Sequence, residues 1–252
     1  MNSKTAFITG ATSGIGKATA EIFAKNKFNL ILCGRREDRL VQLKKELSKI
    51  TNVTTLHFDI RNKQEVFKAV DSLPQEFKKI DVLINNAGNA HGLSTIQDGD
   101  MDDWDAMIDI NVKGLLYVSK AILPQMVERN NGFVVNIGSI AGKDVYANGN
   151  VYCASKHAVN ALNKAMRIDL NKHNIRVSAI HPGAVETEFS EVRFKGDVDK
   201  AKNVYKGFSA LQAQDIAEII QFVVSRPAHV NIEDLVVYPT AQATPTIFNK
   251  EI

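Results

Sequence analysis

The sequence predicts an α/β fold in which a parallel β-sheet of about seven strands is covered by helices on both faces, and three observations predict it. Strand-like and helix-like segments alternate from Thr5 to Tyr238. The first strand runs into a glycine turn that opens onto a helix. No linker, repeat or low-complexity tract interrupts the series. Alternation of this kind implies right-handed crossovers, hence parallel strands buried between two helical layers. The 252 residues, 44% of them apolar, suffice for a sizeable core and are read as a single domain, 1–252.

Thr5 to Thr9 is a short run of β-formers, followed at once by Gly10-Ala-Thr12-Ser13-Gly14-Ile15-Gly16 and then by Ala18, Ala20, Ile22, Phe23 and Ala24 at helical spacing. Gly10 permits the tight turn, Gly14 lets backbone amides approach an anion, and Gly16 lets the helix pack close to the strand. The helix start then points free N–H groups at a phosphate. Its spacing is G-x3-G-x-G where the commoner dinucleotide fingerprint is G-x-G-x2-G, and a glycine turn alone is a weak signal. Further strands are predicted at Asn29 to Cys33, Val53 to Phe58, Asp81 to Asn85, Phe133 to Ile137, Ile175 to Ile180 and Leu235 to Tyr238. Helices are predicted around Glu37 to Lys49, Lys63 to Leu73, Asp102 to Glu128, Val151 to Lys172 and Asp215 to Val224. Glu186 to Ser209, polar and mixed, predicts a mobile segment near the mouth of a site.

In an open parallel sheet a ligand sits beyond the carboxyl ends of the strands. The residues just after each strand are the Gly10 to Gly16 loop, Gly34-Arg35-Arg36, Asp59-Ile60, Asn85-Asn86-Ala87-Gly88, Gly138-Ser139 and His181-Pro182-Gly183. Nearly all are small, polar or charged. They suit a binding rim, although any water-soluble α/β protein places polar residues there.

Composition narrows the partners. A formal charge of +3, from 31 basic and 28 acidic residues without a block of either, argues against nucleic acid or an anionic membrane. Cys33 and Cys153 lie far apart, no histidines pair at ligand spacing, and so no metal site is expected. With no signal peptide in sight, the cysteines read as reduced thiols in a cytoplasmic protein. The longest apolar runs fall far short of the roughly 20 residues that span a bilayer.

The chemistry concentrates in Asn150-Val-Tyr152-Cys-Ala-Ser-Lys156, which sets a phenol and an amine four residues apart on one helical face. A phenol with a pKa of about 10 is a poor base at neutral pH. A cation about 4 Å from the phenolate contributes about 1 kcal/mol in water but about 4 kcal/mol at an effective dielectric near 20. The pair therefore becomes useful only in a partly desolvated pocket. Taken alone, Tyr-x-x-x-Lys reads better as a surface aromatic and a solvated charge, because the spacing occurs often by chance.

Thr9-Gly10-x3-Gly14-x-Gly16, Asn85-Asn86-Ala87-Gly88, Asn111, Ser139 and Tyr152-x3-Lys156, in that order and spacing, resemble the short-chain dehydrogenase/reductase family essentially from end to end. The resemblance implies a Rossmann-type, doubly wound sheet and hydride transfer between a nicotinamide and a carbonyl or alcohol carbon. Tyr152 would be the general acid/base on the substrate oxygen, with Ser139 bonding that oxygen. Lys156 would lower the Tyr152 pKa and bind the nicotinamide ribose. Asn111 would distort its helix and hold a water in a proton relay to Lys156. Asn86, Ala87 and Gly88 would line the floor under the cofactor, Asp59 would meet the adenine, and Pro182, Gly183 and Thr187 would contact the nicotinamide carboxamide. Thr12, Ser13, Ile15, Ile60 and Val185 are carried over as cofactor contacts too. Asp59 reads equally as a helix cap.

The runs Met126-Val-Glu-Arg-Asn, Ala147 to Tyr152, Thr187 to Gly196 and Pro227 to Ile232 are similar to the NADP-dependent 3-hydroxy acid dehydrogenases, which act on serine, L-allo-threonine and related 3-hydroxy acids and are typically cytoplasmic homotetramers. NADP is the expected cofactor, because Arg35-Arg36 stand where NAD sites commonly carry an acid for the ribose 2′-hydroxyl. Glu37 and Asp38 follow closely but read as first-turn helix acids. A small 3-hydroxy acid is the expected substrate, with Arg193 meeting its carboxylate, Lys195 as rival cation, and a solvated charge as the bland alternative. A bulkier uncharged ketone is the second enzyme reading. A nucleotide-binding regulator, which a broken set of catalytic residues would favour, ranks last.

Overall fold

The computed structural model describes residues 3–251. Its strands are β1 (Thr5–Thr9), β2 (Asn29–Gly34), β3 (Val53–His57), β4 (Val82–Asn85), β5 (Gly132–Ile137), β6 (Ile175–Pro182), β7 (Val185–Glu186), β8 (Leu211–Gln212) and β9 (Asp234–Val237). Its helices are α1 (Gly14–Lys25), α2 (Glu37–Leu47), α3 (Lys63–Asp71), α4 (Met101–Ile108), α5 (Leu115–Glu128), α6 (Asn150–Leu170), α7 (Phe189–Arg193), α8 (Val198–Asn203) and α9 (Ala213–Val224). Among the described residues the main sheet has seven strands in the order β3-β2-β1-β4-β5-β6-β9, every neighbouring pair parallel. This is the Rossmann-type, doubly wound sheet expected.

Strand residues alternate between two cores because successive side chains point to opposite faces. Ala6, Ile8, Leu30, Leu32, Ile84 and Val135 pack under α1, α2 and α9, while Phe7, Ile31, Leu83, Val134 and Val177 pack under α3, α5 and α6. Both faces being buried, the central strands are largely apolar runs, which is why they were legible. Sheet order reverses between β1 and β4, and the crevice at that switch point is where an α/β sheet accepts a ligand.

Two expectations need correction. The helix expected at Asp102 to Glu128 starts at Met101, with the Asp100 carboxylate accepting from Asp102 N at 2.9 Å, and breaks into α4 and α5 around a π-helical segment, Asp109–Gly114. The Glu186 to Ser209 stretch, for which no helix was expected, carries α7 and α8, and it does line the mouth of the cleft as expected. The Asp197 side chain accepts from Lys200 N at the start of α8, and the Tyr205 hydroxyl bonds Ser190 Oγ at 2.7 Å and donates to Val185 O at 2.9 Å. These short turns show no apolar period, so pattern alone misses them. No helix among the described residues is long and apolar enough to cross a membrane.

Candidate active site

The glycine loop is shaped by its backbone. Gly10 has φ +64° and Gly14 φ +50°, in the left-handed region that side chains disfavour, and a Cβ on Gly16 would collide with Gly10 O. Ser13, at the start of α1, makes no side-chain cap, and the first turn carries no acid. The helix therefore presents unclaimed N–H groups and the positive end of its dipole. Thr9 and Asn86 fasten this loop to the end of β4. Thr9 Oγ1 accepts from the amides of Asn86 and Ala87, both at 3.0 Å, and Asn86 Nδ2 donates to Thr9 O at 2.8 Å.

A cleft of about 770 Å³ opens beyond the strand ends. Every catalytic and cofactor-binding residue nominated from the sequence lines it except Gly16 and Asn111, and so does Arg193, while its rival Lys195 does not. Gly16 lies behind the loop. Asn111 lies behind Gly88, whose missing Cβ leaves room for Asn111 Oδ1 and Lys156 Nζ. Thr187 packs over Gly14, and Ile60 fills the space beside Gly114.

Arg35 and Arg36, equivalent in sequence, part company in space. Arg36 lays its guanidinium on the loop, donating to Thr12 Oγ1 at 3.0 and 3.2 Å and to Ser13 Oγ at 2.7 Å. Its remaining nitrogen bonds Glu188. Arg35 turns to Asp59, 3.6 Å away, while Glu37 points away toward His57 at 3.8 Å. Asp59 lines the cleft but does not cap α3. That cap is Asn62, whose side chain accepts from Gln64 N and Glu65 N. The Asp59 carboxylate is gripped by Arg61 through several bonds of 2.6 to 3.1 Å. Partial burial opposes its ionisation, but the Arg61 bonds outweigh this and hold its pKa below the usual carboxylate range.

Tyr152 and Lys156, one turn apart on α6, are both buried facing the cleft, with Ser139 at the end of β5 opposite. Ser139 Oγ accepts from Ala141 N at 3.1 Å, which leaves its own proton to donate. Behind it lies buried His181, its Nδ1 3.1 Å from Ser139 O. Burial and nearby Lys143 push its pKa down to about 4, so the imidazole is neutral. Asn111 sits in the π-segment, 2% exposed, so it is no surface asparagine. Its Nδ2 donates to Asn89 O at 2.8 Å and Ser155 Oγ at 3.0 Å, and its Oδ1 accepts from Asn89 N at 2.9 Å. Both amide protons are thus used inside the protein. They brace the first turns of α6 against the loop after β4.

Burial governs both ionisable groups of the pair. Burial pushes the phenol well above its usual range, with partial relief from the Ser139 hydroxyl and the charge of Arg193. Lys156 Nζ donates to Ile137 O at 3.0 Å, and burial drives its own pKa down to about 8. Desolvation penalises both charged forms.

Arg193, in α7, joins the cluster. Its guanidinium carbon lies 5.4 Å from the Tyr152 ring centre and 5.6 Å from that of Tyr146, and Nη2 donates to the Tyr146 hydroxyl at 2.9 Å. Among the described residues no carboxylate pairs with it. Lys195 is engaged elsewhere, by Asp100 at 3.4 Å and Asp103 at 3.0 Å. Several participants escaped the sequence reading: Asn89 and Ser155 around Asn111, Tyr146 under Arg193, Phe189 with its ring centre 5.7 Å from that of Tyr152, and Glu188. Ser155, Glu188 and Phe189 lay inside runs already singled out. Asn89 and Tyr146 had no motif to mark them.

Comparison with known proteins agrees with this geometry. The family model described as short chain dehydrogenase matches residues 4–197. The NADP-dependent 3-hydroxy acid dehydrogenase YdfG of Salmonella typhi is 46% identical over 237 residues, covering 94% of this chain and 95% of the relative. Sulfoacetaldehyde reductase 2 of Chromohalobacter salexigens is 44% identical over 94% of each chain. Among solved structures, the closed form of serine dehydrogenase complexed with NADP+ superposes with a TM-score of 0.92 at 42% identity, over 98% of this chain and 100% of that one. The chain belongs to the short chain dehydrogenase family.

Proposed function

We propose that the protein is an NADP-dependent dehydrogenase that oxidises the hydroxyl of a small 3-hydroxy acid, of the serine, L-allo-threonine or 3-hydroxypropionate kind, or reduces the corresponding carbonyl. The observation that carries this reading is the convergence of Ser139, Tyr152 and Lys156 on a cleft floored by an uncapped helix start, with Arg193 beside Tyr152 and paired with no carboxylate among the described residues. The two named relatives act on small anions, a carboxylate and a sulfonate, and Arg193 suits either. An uncharged ketone would leave that guanidinium without an anionic partner.

The cleft fits a phosphate-bearing dinucleotide, since the glycine loop offers amides and Arg36 offers a docked guanidinium. When bound, the nicotinamide supplies or accepts the hydride. Gly10 to Gly16 would hold its phosphates, Arg36 its 2′-phosphate, and Lys156 its ribose, over the floor formed by Asn86 to Gly88. Ser139 donates to the substrate oxygen and Tyr152 moves the proton there. Asn111 keeps α6 in register with that floor. The chain is further read as one domain acting in the cytoplasm as a homotetramer. This rests on likeness to its branch and on the exposed apolar Leu116 of α5 and Ile168 of α6. A monomeric mass by light scattering would remove the tetramer.

A panel of hydroxy acids and uncharged alcohols with NADP⁺ and NAD⁺, followed by absorbance of the reduced cofactor, tests the reading. NADP⁺ is expected to be preferred, and Arg36→Ala to lower kcat/KM for NADP⁺ about 10- to 100-fold with little change for NAD⁺, as loss of a charge-assisted bond implies. Arg35→Ala should do less, because Arg35 faces Asp59. Equal efficiency with both cofactors, untouched by Arg36→Ala, would refute the assignment.

pH dependence follows from Lys156. Below its pKa of about 8 the ammonium is charged and stabilises the phenolate left when Tyr152 gives up its proton. Above it that support is lost while the phenol stays protonated. Reductive kcat/KM is therefore expected to fall as pH rises through about 8. A profile flat across that range would place the controlling ionisation on another group.

A further inference from the structure

Glu188 joins two parts of the cleft that sequence places far apart. Its carboxylate accepts from Arg36 Nη1 at 2.7 Å and from Arg39 Nη1 at 2.6 Å, with the side chain 37% exposed. It therefore neutralises the guanidinium that the proposed function assigns to the 2′-phosphate. Arg36 does not depend on Glu188 for its place, because Thr12 and Ser13 hold it through its other nitrogens. Arg35 offers no substitute, being turned to Asp59.

We infer that Glu188 is a specificity-determining residue for the cofactor: its carboxylate competes with the 2′-phosphate for Arg36 and Arg39, and so holds the preference for NADP below what the arginines alone would give. Two anions at one fork repel, and the phosphate must displace the carboxylate or share the cations with it. A 2′-hydroxyl needs no such exchange, since it can donate to the carboxylate. The inference rests on the NADP reading, but the two fail separately.

The test is calorimetric titration of parent and Glu188→Gln with 2′,5′-ADP and with 5′-AMP at one ionic strength. The quantity read is the ratio of the 5′-AMP Kd to the 2′,5′-ADP Kd. Glutamine keeps the shape and removes the charge. Since Glu188 is more than one-third exposed and water screens it, the ratio is expected to rise about 5-fold in the variant. A ratio unchanged in Glu188→Gln would mean the carboxylate does not compete. A lowered ratio would mean that it positions Arg36 for phosphate. Either overturns the inference. The parent ratio judges the NADP reading by itself: a value of one or less removes the 2′-phosphate site whatever the variant does.

Discussion

Tyr152→Phe is expected to lower the rate of hydride transfer about 10²- to 10⁴-fold, the range of general acid–base help, while leaving cofactor affinity within a few-fold of parent. The ring would stay. It is 7% exposed, packed against Phe189 and beneath Arg193, and a phenylalanine keeps these contacts. Only the hydroxyl is lost, and with it the group that trades a proton with the substrate oxygen. The glycine loop and Arg36 belong to other elements and are undisturbed. Single-turnover stopped flow on preloaded enzyme reads the chemical step, and fluorescence titration of the reduced cofactor reads binding. A variant that transferred hydride at near the parental rate would end the assignment of Tyr152. A variant that lost cofactor binding along with turnover would show that the phenol is structural.

The parts of this molecule legible in sequence are those whose cause is local. Each central strand announces itself because both of its faces are buried, so Phe7, Ile31 and Leu83 read as apolar next to neighbours that serve the opposite core. The glycine loop was legible because φ values of +64° and +50° admit few residues but glycine. The Asn111 distortion was expected, but its π-helical form was not, since that depends on Asn89 and Ser155 from two other elements. The arginines show the limit most plainly. Adjacent in sequence and identical in chemistry, Arg35 and Arg36 are separated by partners that pattern cannot supply, Asp59 for one and, from 152 positions away, Glu188 for the other. The Tyr152–Lys156 spacing was visible, but the extent of their burial was not, because spacing carries no measure of how much water the fold excludes.

Arg193→Ala is expected to lower kcat/KM for a hydroxy acid about 10- to 150-fold, because hydrogen bonds to a charged group contribute roughly 1.5 to 3 kcal/mol. An uncharged alcohol of similar size should lose little. The carboxylate of a substrate entering this cleft gives up part of its hydration, and that cost must be met by an opposite charge. Arg193 can meet it where Lys195 cannot, since Lys195 is already paired with Asp100 and Asp103, whereas Arg193 has only the Tyr146 hydroxyl and Gly92 O as polar side-chain partners among the described residues. Its charge also lies over the Tyr152 ring and favours the phenolate, so part of the loss should appear in kcat with either substrate. Subtracting the alcohol's loss from the hydroxy acid's isolates the carboxylate contribution. Equal losses on the two substrates would leave Arg193 acting on Tyr152 alone and shift the substrate reading to an uncharged carbonyl. Lys195→Ala is the control, and a larger selective loss there than in Arg193→Ala would reverse the assignment of the two cations.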